Sequence, residues 1–112
     1  MKIEILPITG ENCITIEDGQ NIYDKIYPQL KAGHEVELDF TGVKVFASPF
    51  FNAAVGQLLK DMDSPELRRL RLIGMPAFAV ETLRKVIDNS RQYYSSKKQQ
   101  KHIESAVDTE TK

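Results

Sequence analysis

The sequence predicts an α/β fold of the α+β-like kind, folded as one domain. Two patterns and the chain length carry that prediction. Glu35-Val36-Glu37-Leu38-Asp39-Phe40 alternates cleanly, with Val36, Leu38 and Phe40 on one face and the acids on the other, which is the period of a half-buried strand. Ile22, Ile26 and Leu30, and later Phe51, Val55, Leu58 and Met62, recur at the spacing of an amphipathic helix. A chain of 112 residues holds one core, and a domain of this size buries roughly two-thirds of its unfolded surface. The elements follow the order β-β-α-β-(β)-α-β-α. Helices alternating with strands predict a mixed sheet with parallel crossovers.

Each element has its own signal. Residues 2–8 alternate, with Ile3, Ile5 and Pro7 on one side, and read as an edge strand that tolerates Pro7. Thr9-Gly10-Glu11-Asn12 is turn chemistry. Cys13 to Ile16 then reads as a second strand, closing a hairpin. Asp18 is placed to cap a helix over 19–32; Pro28 inside it predicts a kink or an irregular last turn, and Gly33 suits the C′ position. After the strand at 35–40, Thr41-Gly42 turns the chain, and Val43 to Phe46 is a short apolar run. Ser48-Pro49 reads as N-cap and first helical residue, opening a helix to about Met62 with Ala54 and Leu59 widening its stripe. Asp63-Ser64-Pro65 ends that helix and opens a short turn. Arg68 to Ile73 reads as a strand, and 76–90 as a helix with Val80, Leu83 and Ile87 as its stripe. The domain is expected to span 1–92, followed by a polar, flexible tail over 93–112.

Composition narrows the function classes. Apolar residues are 41% and charged residues 28%, which fits a globular protein rather than a disordered one. The net charge of −1 argues against strong bulk attraction to nucleic acid or to an anionic membrane. No apolar run approaches the ~20 residues of a membrane span. The opening Met1-Lys2-Ile3-Glu4-Ile5 is alternation with an acid in it rather than a signal peptide. Cys13 is the one cysteine, so no internal disulfide forms and a reducing cytoplasm is the expected setting.

The chemistry-bearing residues do not assemble into a catalytic pattern. His34 and His102 stand without metal-ligand spacing, and Cys13 has neither a nearby His nor a CxxC partner. The sequence lacks GxGxxG, GxxxxGK[ST] and GxSxG. Neither a cofactor nor a metal is implied, and a non-enzyme is expected. Glu35 and Glu37 read as a solvated strand face, whereas Asp39 ends the strand, where it can bond the Thr41-Gly42 backbone or face a site at the sheet's C-terminal edge. Lys97, Lys98 and Lys101 beside Tyr93 and Tyr94 hint at nucleic-acid contact, but three lysines on a polar tail are a small footprint for it.

The stretch from Glu37 to Gly56 is the most informative. Leu38-Asp39-Phe40, a Thr-Gly-Val turn, an apolar run and then Ser48 opening a helix resemble the STAS domain, the sulphate-transporter and anti-sigma-factor-antagonist family. More specifically, the stretch resembles a bacterial STAS-like family of uncharacterised function with a similar Leu-Asp-Phe-x-Gly-Val and Ser-x-Phe pattern. The resemblance covers roughly 12–90 and is most specific over 36–59. It implies a four- to five-stranded mixed sheet with helices packed mainly on one face, and a role in protein binding. The partners it implies are a histidine-kinase-like ATPase or an anti-sigma-type regulator, with binding switched off by phosphorylation at the helix start. A homo-oligomer is compatible with it.

The departures from that pattern shape the expected site. Where phosphorylated members read Asp-Ser-Ser-Gly or Asp-Ser-Thr-Gly, this chain has Ala47-Ser48-Pro49-Phe50. Proline at the acceptor position has no hydroxyl. Ser48 precedes that position, serving as N-cap or as a candidate phosphosite. Phe50 replaces the glycine, as an interface anchor if exposed or as core alongside Phe51. The expected partner-binding residues are therefore Asp39, Phe46, Ser48, Phe50 and Asn52. The alternative is a small-ligand or nucleotide-binding module that uses the free N–H groups of a helix start.

Overall fold

The computed structural model describes the backbone of residues 1–111 and the side chains of residues 1–95. β1 (Lys2–Glu4) leads into one helical turn, α1 (Leu6–Thr9), and then into β2 (Asn12–Cys13). The long helix α2 (Ile16–Lys31) precedes β3 (Val36–Asp39) and β4 (Val45–Phe46). α3 (Ser48–Ala54) passes into a 3-10 helix, Gly56–Lys60. α4 (Ser64–Leu67), β5 (Leu70–Ile73) and α5 (Ala77–Thr111) complete the chain.

The expected mixed sheet is instead parallel throughout the described residues. β1, β3 and β5 form a three-stranded sheet in that order, with Lys2 opposite Glu37 and Glu37 opposite Arg71. β2 and β4 form a separate two-stranded sheet, pairing Asn12 with Val45 and Cys13 with Phe46. Neighbours in the larger sheet are joined through helical connections, and a chain that crosses over between strands re-enters parallel. In that sheet, Ile3, Val36 and Leu38 are buried, while Lys2, Glu4 and Arg71 point to solvent.

The predicted hairpin of strands 1 and 2 is absent because the first strand stops at Glu4. Pro7 has no N–H for a ladder, and its fixed φ suits the first turn of a helix. Ile8 and Thr9 N–H groups accordingly bond Ile5 O at 2.8 and 3.0 Å, and the chain turns away.

α2 begins three residues earlier than predicted. Its cap is Thr15, whose Oγ1 accepts from Asp18 N at 3.1 Å; Asp18 sits in the first turn with its charge near the positive helix end. Gly19 lies inside the helix, where glycine costs about 1 kcal/mol relative to alanine. Its bare Cα lets α3 come close, since a Cβ there would lie 2.7 Å from Ala53 Cβ. Pro28 stays inside the helix. The end is the predicted one: Gly33 N bonds Leu30 O at 3.1 Å and His34 N bonds Gln29 O at 2.9 Å, the paired bonds of a Schellman stop.

The core gathers the helix stripes against β1 and β3. Ile22, Ile26 and Leu30 from α2 meet Val36, Leu38 and Phe40, and Phe50, Phe51, Ala54, Val55, Leu58 and Met62 close over them. On α5 the buried stripe is Ala79, Leu83, Val86 and Ser90 rather than Val80, Leu83 and Ile87. The helix does not stop at Ser90, for residues 91–95 continue it. The flexible tail predicted at 93–112 falls, from residue 96 on, outside the residues with described side chains. Among the described residues no helix is long and apolar enough to cross a membrane.

Candidate functional site

The residues predicted to form one partner surface are distributed among the core and two surfaces. Asp39 closes β3. Its Oδ1 accepts from Thr41 N at 2.9 Å and from Thr41 Oγ1 at 2.6 Å, and Lys2 Nζ stands 3.4 Å from Oδ2. The Thr41 hydroxyl, then its backbone N–H, hold the Asp39 carboxyl below the usual carboxylate range. Gly74, at φ 77°, presses against this turn; a Cβ there would lie 2.7 Å from Thr41 N. Asp39 thus ties the end of β3 to its own turn and to Lys2 of β1, and it lines a hollow with Glu4, Leu6, Pro7 and Thr41.

Phe50 is not an exposed anchor. It is 0% exposed and meets Phe40 edge-on, with ring centroids 6.4 Å apart. Position 50 falls on the core side of α3, as does Phe51. Ser48 is not the cap of α3. Ala47 holds that position with extended backbone angles, Ser48 and Pro49 occupy the first two helical positions, and no side-chain bond caps the start. This leaves Ser48 exposed with Pro49 and Asn52. Phe46 is half-buried, stacked on Phe51 at 6.1 Å and met edge-on at 5.8 Å by Phe78, which is 57% exposed.

Asn52 and Pro49 also form one wall of an open groove of about 630 Å³. Ile16 and Gln20 of α2 form a second wall, and Asn89, Ser90, Tyr93 and Tyr94 of α5 a third, with Gly56 and Gln57 between them. The volume lies within the ~300–1,000 Å³ of ligand sites. Of these residues the sequence reading singled out Asn52 for partner binding, and Tyr93 and Tyr94 beside the lysine cluster. The available signal was a set of uncharged amide and hydroxyl residues on three α-helices and the 3-10 helix, Gln20, Asn52, Gln57, Asn89 and Ser90; bringing them together required knowing how the helices pack.

Cys13 is buried, and burial raises its thiol, ahead of a hydrogen bond with Thr9 that lowers it. A protonated, enclosed thiol is a poor nucleophile. Among the described residues no group of three His, Cys, Asp or Glu side chains is arranged to hold a metal.

These features define a small α/β module with parallel strands in two small sheets and an exposed surface at the start of α3. The chain belongs to the family described as STAS-like domain of unknown function (DUF4325), whose profile matches residues 18–74. Searches of curated proteins and of solved structures gave no match.

Proposed function

We propose that this chain is a non-catalytic interaction module that binds a second protein through the surface around the start of α3. The partner is a regulator, such as a histidine-kinase-like ATPase or an anti-sigma-type protein, and the setting is cytoplasmic signalling. The observation that carries the reading is the exposure of Ser48, Pro49 and Asn52 beside Phe46 and Phe78, in a chain of the STAS-like family. Aromatic side chains flanked by uncharged polar groups suit a protein interface. Binding proceeds without the usual phosphoswitch, because Pro49 fills the acceptor position.

The test is affinity capture from native lysate, with and without ATP, read by mass spectrometry. Asn52→Arg is the control bait, since Asn52 is exposed and a surface change of this kind stays within about 0.5 kcal/mol of wild-type stability. The expected result is an ATPase or anti-sigma-type regulator that is recovered by wild type and lost with Asn52→Arg. Identical recovery by the two baits overturns the reading.

A further inference from the structure

The groove between α2, α3 and α5 has a chemical character of its own. Among the described residues, its lining holds no formal charge, although 28% of the whole chain is charged. A phosphate or carboxylate ligand would find no cation among these residues. An ionic ligand of either sign would meet no counter-charge among the described lining residues.

Two of the amides are held in place. Gln57 Nε2 donates to Ala53 O at 2.7 Å and to Gln20 Oε1 at 2.8 Å, and Gln20 Nε2 donates to Asp24 Oδ1 at 2.9 Å. Both Gln57 N–H groups are thereby used, which leaves its carbonyl oxygen as a fixed acceptor. Ser90 supplies the second polar feature. It is only 9% exposed and lines the groove. A Cβ on Gly56 would lie 2.7 Å from Ser90 Oγ, so only glycine leaves the hydroxyl its place. Asn52 and Asn89 flank these groups, and a side-chain amide can pair with both the N–H and the C=O of a peptide unit.

We propose that this groove binds an uncharged, extended peptide segment of the partner protein. Its backbone is read by Gln57, Asn52, Asn89 and Ser90, and one apolar side chain rests against Ile16 and Pro49. The proposal rests on the interaction reading above and gives it a substrate class. Because Gln20 and Gln57 are already fixed, little ordering is lost on binding.

The test is selection of random peptides displayed on phage against the full chain, with Asn89→Lys as the comparison bait. Asn89 is exposed on α5, opposite the start of α3, and the variant's melting curve checks its fold. The expected consensus lacks Asp, Glu, Lys and Arg at its central positions. Its affinity for Asn89→Lys is expected to fall about tenfold or more, the scale of one buried hydrogen-bonding group left unpaired. A charged consensus, or equal binding by the two baits, overturns the proposal. So does the absence of any enriched peptide when neutral nucleosides raise the melting temperature, which assigns the groove to a small ligand. A lysate partner lost with Asn52→Arg but retained by Asn89→Lys leaves the interaction reading standing and removes the groove from it.

Discussion

Asp39 illustrates how a side chain at a strand end is held by its own turn. Oδ1 is engaged by both Thr41 donors, and Oδ2 faces Lys2. Thr41, chiefly through its hydroxyl, lowers the Asp39 pKa, so the folded chain gives up this proton more readily than the unfolded one. The sign follows from linkage. The contribution is present above the unfolded-state value and is lost as pH falls through the lower folded value. Asp39→Asn should therefore flatten the acid side of the stability profile, measured as urea midpoints across the acid range. An unchanged acid slope would show that Thr41 does not hold the carboxylate.

At the scale of the element, helix starts decide more than helix stripes do. Thr15 caps α2 with a bond to Asp18 N, whereas Ser48 makes no capping bond at α3. Thr15→Ala should cost about 1 kcal/mol, while Ser48→Ala should stay within about 0.5 kcal/mol of wild type. Denaturant titration of the two variants measures the contrast, and equal losses would restore Ser48 as a cap. The stripes were legible in part: Ile22, Ile26 and Leu30, and Phe51, Val55, Leu58 and Met62, are all buried, but the helix expected to reach Met62 ends at Ala54 and tightens into the 3-10 helix, and the α5 stripe is shifted from Val80 and Ile87 to Ala79 and Val86. Val36, Leu38 and Phe40 were legible for the same reason, because a side-chain period survives any tertiary arrangement. The caps were not, because Thr15, Asp18 and Ser48 are all competent acceptors and the choice depends on backbone angles fixed by packing. Nor was pairing legible, since two strand residues at Asn12–Cys13 carry too little pattern to name a partner. Asn52 was read as facing away from the core and is exposed, Ser48 was read as a cap and makes no capping bond, and placing Phe50 required the rotation of α3 about its axis to be known.

At the scale of the whole molecule, four phenylalanines meet in one group. Phe40 touches Phe46, Phe50 and Phe51, with ring centroids 5.9 to 6.4 Å apart, and Phe40, Phe50 and Phe51 are fully buried. Rings at these separations add about 0.5–1.5 kcal/mol per pair beyond burial. Phe50→Ala should cost about 3–5 kcal/mol, a large share of the roughly 5–15 kcal/mol available to a domain. The expected observation is a sharp fall in thermal midpoint. A midpoint near that of wild type would mean that Phe50 does face outward.

The strand order also determines when the sheet can exist. β1 lies at the edge of the larger sheet, and its one strand neighbour there is β3, with Lys2 opposite Glu37 and Glu4 opposite Asp39. As the chain leaves the ribosome, β1 has no strand to pair with until β3 has followed it out. The sheet begins with this long loop closure instead of a quick local hairpin. During that interval Ile3 and Ile5, both buried in the finished fold, are open to any other nascent strand or chaperone that meets them. A destabilised β3 would therefore show itself first as poor yield during synthesis, before any loss of binding could be measured.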